Sequence, residues 1–211
     1  MIVTIFGATG MVGNMLITHC LAKGWQVRAF GRNVESLIDE DLRNDQLTVI
    51  KGYVFDETEV QEAIAGSDAV LSTLGGAMDG ADKARSLGIK NIIRQMEATQ
   101  VSRIVALGGL GVLPGPDGKL LLEDDQYPAE YLPVGQEHLQ AYLYLQSSAL
   151  QWTFVCAPNI LPLPADNAFA AIAEQPGPTL AINAGNLALF MVTELTANEH
   201  MHQRVGIGNL A

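Results

Sequence analysis

Short apolar runs alternate along this chain with stretches whose apolar residues recur at helical spacing, starting from the second residue. Ile2–Phe6 is β-branched, apolar throughout and ended by Gly7, as expected of a strand buried on both faces. Met11–Ala22 places Met11, Met15, Leu16, Ile17 and Leu21 near helical spacing and stops at Gly24. The same alternation predicts further strands at Trp25–Phe30, Leu47–Lys51, Asp68–Thr73, Arg103–Leu107 and Trp152–Cys156. Helices are predicted at Thr58–Ala65, closed by Gly66, and at Ala81–Gln100 and Gln136–Ser148. Gly185–Thr196 reads as a final helix and Arg204–Ile207 as a terminal strand.

This order predicts an α/β fold: a Rossmann-type doubly wound parallel sheet in a three-layer αβα arrangement. The 211 residues suit a single domain spanning 1–211. Two regions break the rhythm. Residues 108–135 contain Pro114, Pro116, Pro128 and Pro133, several glycines and the acidic Glu123–Asp125. So long an irregular segment, leaving the carboxyl end of a central strand, is read as a lid over a ligand, with a disordered loop as the alternative. The second region is the C-terminal segment 161–211, which with loop 108–135 is expected to form the substrate side. Within it, Ala168–Glu174 looks helical by propensity, although its proline-rich flanks also allow a strand pair.

The chemistry-bearing motif is Gly7-Ala8-Thr9-Gly10-Met11-Val12-Gly13, directly after the first strand and opening the first helix. Gly7 suits a tight turn, Gly10 lets backbone approach a diphosphate, and Gly13 allows close helix packing. The unpaired N–H groups at the helix start, with the positive end of its dipole, suit an anion. Thr9 is read as a helix cap or a hydroxyl donor to the ligand. A dinucleotide lacking the 2′-phosphate is usually met by an acid at the end of the second strand. Here that position reads Phe30-Gly31-Arg32-Asn33, and no carboxylate appears before Glu35. A guanidinium there suits a phosphate, so NADP (NADPH) is expected over NAD.

Charge and cysteine content narrow the partners. A net charge of −11 disfavours nucleic acid and anionic membrane surfaces. Cys20 and Cys156 have no ligand or redox spacing and are read as buried thiols of a reducing compartment. With no apolar run of membrane length and no leader pattern, the expectation is a cytoplasmic chain with a small-molecule partner, as a monomer or homodimer. His200 and His202 are expected to be solvated, and no metal site is predicted.

Taken together, GATGMVG after the first strand, FGRN after the second, STLGG after the fourth and the long loop after the fifth resemble the atypical short-chain dehydrogenase/reductases. His138–Ile160 (HLQAYLYLQSSALQWTFVCAPNI) matches their helix, strand and proline turn. The nearest likeness is to single-domain NAD(P)H-binding proteins of the biliverdin-IXβ/flavin reductase and NmrA-like kinds. The resemblance implies that Gly7, Thr9, Gly10, Met11, Val12, Gly13 and Arg32 hold the dinucleotide. It also puts Leu74, Gly75 and Gly76 beside its ribose and diphosphate, with Leu107, Gly108 and Gly109 near the nicotinamide. Pro158, Asn159 and Ile160 fall near the carboxamide. Tyr53, followed by Val54, stands where relatives often carry an adenine-binding aspartate, so stacking or backbone contacts are expected there.

The departures from the family pattern matter for chemistry. The catalytic serine position is Gly109, the tyrosine position Val134 and the lysine position His138. Tyr142 and Tyr144 lack a lysine at the required spacing and are read as packing residues. Without a positioned acid, carbonyl reduction and epimerisation lose about 10²–10⁴ in rate. Direct hydride transfer to a flavin, quinone or similar conjugated acceptor depends less on such an acid. The expectation is therefore an NADPH-dependent reductase. His138 is its candidate catalytic group, titrating near the ordinary value of about 6.5, or else a ribose-contacting or structural residue. The alternative is a non-catalytic, NmrA-like redox sensor.

Overall fold

The N-terminal run Ile2–Phe6 forms β1, whose alternate residues feed opposite faces of the sheet: Val3 and Ile5 enter one apolar layer and Phe6 the other. The computed structural model describes residues 1–38 and 40–210; Asp39 and Ala211, the last residue of the C-terminal segment, lie outside the described residues. After β1 come α1 (Met11–Ala22), β2 (Gln26–Gly31), α2 (Val34–Leu37), β3 (Leu47–Lys51), α3 (Glu57–Ile64), β4 (Ala69–Ser72) and α4 (Ala84–Thr99). The chain continues through β5 (Arg103–Gly109), α5 (Leu132–Gln146), β6 (Gln151–Ala157), β7 (Asn159–Leu161), β8 (Phe169–Ala173), β9 (Ala181–Asn183), α6 (Ala184–Ala197) and β10 (Gln203–Asn209).

The main sheet has the order β3-β2-β1-β4-β5-β6-β10-β8, and β7 pairs with β9 separately. Its neighbours are parallel except β10 and β8, which run antiparallel. This is the mostly parallel, doubly wound αβα arrangement expected from the sequence. Leu16, Ile17 and Cys20 of α1 pack with Leu187, Met191 and Val192 of α6 on one face. On the other, Val60 and Ile64 of α3, Ile89, Ile92 and Met96 of α4, and Tyr142 and Leu145 of α5 cover Phe30, Phe154 and Trp152. Thr4, fully buried in β1, donates its hydroxyl to the Ala63 carbonyl at 2.8 Å, so this polar residue remains satisfied inside the sheet.

Ala168–Glu174 is not helical. Phe169–Ala173 pairs antiparallel with β10 from Val205 to Asn209, and Phe169 and Ala171 pack on the core. Asn167 and Glu174, both at positive φ (63° and 55°), bracket the strand. The open edge of β10 supplies ladder hydrogen bonds that outweigh the modest helix preference of alanine. Helix α5 starts at Leu132 rather than Gln136 because Pro133 sits in its first turn, where the missing N–H has no helical partner to lose.

The long segment after β5 is packed: Val112 and Leu113 are fully buried, and Leu122 joins the same apolar layer. Pro114 and Leu120 form an antiparallel bridge, closed by a hydrogen bond from Gly115 N to Lys119 O at 2.7 Å. Cys20 and Cys156 are both buried and free, and burial pushes the Cys20 thiol up to about 12.

His200 is not solvated: its Nδ1 lies 2.9 Å from Glu194 Oε2, and its ring stands edge-on to Phe190. His202 is exposed overall, but its Nε2 lies 3.1 Å from the Leu150 carbonyl. Among the described residues no group of histidine, cysteine and carboxylate side chains is placed to hold a metal ion. Glu194 also pairs with Arg103 at 3.1 Å, both side chains being buried at the start of β5 and the end of α6. Removing one member of such a pair strands the other charge. Glu194→Ala is therefore expected to lower unfolding free energy by about 3–5 kcal/mol in denaturant titration; a loss below about 1 kcal/mol would contradict that role.

Candidate functional site

A cleft of about 440 Å³ opens at the carboxyl ends of the paired strands β1 and β4, whose following helices α1 and α4 cover opposite faces of the sheet. It is lined by Gly7, Thr9, Gly10, Met11, Val12 and Gly13 from the β1–α1 turn, and by Phe30, Gly31 and Arg32 at the end of β2. The segment after β3 adds Gly52, Tyr53, Val54 and Phe55. The end of β4 adds Thr73, Leu74 and Gly75, and Asp82, Ala84 and Leu107 complete the wall.

The three glycines of the turn answer to different constraints. Gly7 has φ +79°, and a Cβ there would lie 2.4 Å from the Thr73 carbonyl oxygen. A Cβ on Gly13 would lie 2.2 Å from the Gly7 oxygen, so this glycine lets the helix pack on its own entry turn. At Gly10 a Cβ would meet only the Gly7 oxygen at 3.4 Å, leaving the cleft side open to an incoming group. Gly10, not Thr9, is the N-cap of α1, and no side chain caps that helix. Asn14 N bonds back to Gly10 O at 2.9 Å, while the amides of Met11, Val12 and Gly13 find no protein acceptor among the described residues. An uncapped helix start beside open backbone is a suitable cradle for a diphosphate.

Arg32 is exposed at the cleft and, among the described residues, has neither a hydrogen bond nor an ion pair. Near it Tyr53, half-exposed, stands edge-on to Phe55 with ring centroids 5.0 Å apart. Tyr53 N donates to Glu59 at 2.7 Å, fixing this aromatic wall to α3.

Asp82 and Ala84 do not stand out in the sequence. They sit well beyond the β4 strand end, and the fold returns them to the cleft through a knitted segment. Asp82 accepts from Ala77 N at 2.9 Å and Ala84 N at 3.2 Å, while Arg85 donates to the carbonyls of Gly76 and Ala77, each at 3.0 Å. The one signal in the residue pattern is an aspartate and an arginine close behind a glycine-rich turn. Phe30 and Gly31 of the FGRN stretch, Thr73 of the STLGG stretch, and Gly52 and Phe55 also line the cleft, although the sequence reading assigned none of them to the ligand.

The other residues that the family resemblance assigns to the site lie outside this lining. A Cβ on Gly76 would come within 2.7 Å of Asp82. A Cβ on Gly108 would come 2.2 Å from the Phe154 ring, so core packing accounts for that glycine. Pro158 follows β6, and Asn159 and Ile160 begin β7, paired to Ala181 and Ile182. Gly109 faces the His138 ring, where a Cβ would lie 2.8 Å from Cδ2.

His138 does not titrate near 6.5. The side chain is half-buried, and its Nδ1 is fully buried without a partner. Burial lowers its pKa to about 3, with the nearby Arg85 charge acting in the same direction. Glu137 is buried beside it and accepts from Ser86 Oγ at 2.6 Å and Lys83 Nζ at 3.0 Å. Burial would raise the Glu137 carboxyl, but the Ser86 hydroxyl and the Lys83 ammonium hold it below the ordinary range. Tyr142 stacks among Trp152, Phe154 and Arg204, consistent with a packing role.

The neutral state of His138 has a definite pH signature. Its folded pKa lies below the unfolded value, so the unfolded chain binds the extra proton as pH falls through about 6.5, and stability is lost toward acid. His138→Gln should flatten the fall in melting temperature between pH 7 and pH 5. Ring nitrogen shifts of His138 in the folded chain should remain those of neutral imidazole across that range; protonation near pH 6.5 would refute the assignment.

Comparison with known proteins agrees with this geometry. Uncharacterized protein YwnB of Bacillus subtilis is 27% identical over 154 residues, 72% of this chain and 68% of that protein. An NmrA-like family domain-containing oxidoreductase of Aspergillus japonicus, himF, is 32% identical over 140 residues, but the match spans only 42% of that protein. A solved structure from Bacteroides thetaiotaomicron superposes with a TM-score of 0.86 at 27% identity, covering 100% of this chain and 97% of the other. A Streptococcus pneumoniae protein named as a candidate NADH-flavin reductase has a TM-score of 0.82 over 99% of both chains at 21% identity, which speaks to fold alone. The family model described as NAD(P)H-binding matches residues 7–198, and the chain belongs to that family of Rossmann-type proteins.

Proposed function

We propose that this protein is an NADPH-dependent reductase that passes a hydride directly to a conjugated acceptor, such as a flavin or a quinone. One observation carries the reading: the chain combines a cleft suited to a dinucleotide with none of the proton-donating side chains of the short-chain dehydrogenase pattern at their positions. Gly109, Val134 and His138 stand where the short-chain dehydrogenase pattern has serine, tyrosine and lysine. His138 is neutral, and its ring packs on Gly109.

The residues present fit the cofactor. Uncapped amides of Met11, Val12 and Gly13 hold the diphosphate, and Gly10 lets it approach the backbone. Arg32, free of protein partners among the described residues, pairs with the 2′-phosphate; Tyr53 and Phe55 offer an aromatic wall for adenine. The dihydronicotinamide supplies the hydride when bound. His138, remaining neutral, orients the acceptor as a hydrogen-bonding group, and solvent supplies the proton to an acceptor whose added charge is delocalised. The himF relative, itself named an oxidoreductase, supports redox chemistry over a purely regulatory role.

Absorbance at the nicotinamide band, followed with NADPH and FMN or a quinone, tests this directly. Turnover well above a heat-denatured control is expected. Tight NADPH binding with no oxidation by either acceptor would favour the sensor reading instead. Arg32→Ala should weaken NADPH binding by about ten- to a hundredfold, the worth of a charged hydrogen-bonding partner, while NADH binding changes little. Equal losses for the two dinucleotides in calorimetry would remove the case for a 2′-phosphate site.

A further inference from the structure

Arg32 shares the cleft with a second charged side chain, the carboxylate of Asp82. This acid is fixed in place. One oxygen accepts from Ala77 N at 2.9 Å and the other from Ala84 N at 3.2 Å. Gly76 passes so close that a Cβ would lie 2.7 Å from the carboxylate. Arg85 binds the same segment through the carbonyls of Gly76 and Ala77, and the neighbouring Lys83 reaches Glu137 on α5 at 3.0 Å. Asp82 therefore cannot swing out of the cleft without breaking the hydrogen bonds that shape the β4–α4 connection.

The carboxylate carries its charge at neutral pH. Burial would raise its pKa, but the two amides, then Arg85 and Arg32, hold it below the ordinary range. Arg32 also feels Asp82 without being consumed by it: no ion pair within 4.0 Å joins the two among the described residues. The cleft thus presents an unpaired guanidinium and a fixed anion together. A 2′-phosphate carries about −1.5 to −2 charges near pH 7, and repulsion from a fixed carboxylate acts over a Debye length of about 8 Å.

We propose that Asp82 is a specificity-determining residue: its fixed negative charge opposes the 2′-phosphate that Arg32 attracts, so the cleft accepts both NADPH and NADH with only a modest preference for NADPH. The inference rests on the dinucleotide reading of the cleft and adds to it the source of its limited selectivity. The acid that would favour NADH is absent from the end of β2; its electrostatic equivalent arrives from the β4–α4 connection.

Calorimetric titration of the full chain with NADPH and with NADH, in parallel, tests this. Asp82→Asn should tighten NADPH binding by about three- to tenfold, as expected for one charge pair near a protein surface, and tighten NADH, whose diphosphate enters the same cleft, by less, so that the preference for NADPH rises. Asp82→Ser, which keeps an oxygen to accept a backbone N–H, should move selectivity in the same direction. The gain should shrink at high ionic strength. NADH reports on the integrity of the connection: equal weakening of both dinucleotides would show Asp82 to be only a backbone brace and would overturn the proposal. Unchanged NADPH affinity would overturn it too. If the unsubstituted chain takes up neither dinucleotide, the cleft reading itself fails, an outcome distinct from loss of selectivity control.

Discussion

The close approach of the β1–α1 turn to the end of β4 is the constraint on which the rest of the site depends. Gly7 stands so near the Thr73 carbonyl, and Gly13 so near Gly7, that a methyl group at either would force the backbone apart. With both in place, α1 begins at the carboxyl ends of the paired strands β1 and β4, and its first residues line the cleft without a capping side chain among the described residues. The anion site is thus built from backbone, and the glycines shape it by what they leave out.

Charge is balanced at the cleft, between Arg32 and Asp82, while the chain as a whole is acidic. A net charge of −11 repels anionic ligands at long range, yet the cleft presents Arg32 without a protein partner among the described residues. On the proposed reading, a dinucleotide would be held by short-range, directional contacts from amides and one guanidinium, which salt and the distant surface charge affect less than they affect steering. Asp82 and Arg85 shape the β4–α4 connection, and Lys83 ties it to Glu137 on α5, the residue beside His138. The cleft and the region around His138 are thereby linked through one buried carboxylate.

Burial also limits what the region around His138 can do. His138 is held neutral by burial and by the nearby Arg85 charge, and its buried Nδ1 has no hydrogen-bond partner among the described residues. A group in that state can accept or donate a hydrogen bond but holds no spare proton near neutral pH. That charge state is the physical basis of the proposal that the acceptor is one that delocalises charge rather than a carbonyl that needs protonating.

Much of this was legible in the sequence, because strand burial and helix periodicity are local properties of the residue pattern. The strand–helix alternation, the glycine turn after β1 and Arg32 at the end of β2 all follow from short windows of chain. Three things were not local. Phe169–Ala173 became a strand because β10 offered an edge, a partner no window around it contains. His138 lost its ordinary pKa because folding buries its ring, beside the distant Gly109, and brings the Arg85 charge near. Asp82 entered the cleft because hydrogen bonds to Ala77 and Ala84 fold its segment back over the sheet end. Residue pattern alone determined the elements and the anion-binding turn; desolvation and long-range pairing, which exist only once the chain has folded, decided the charge state and the company of the groups around it.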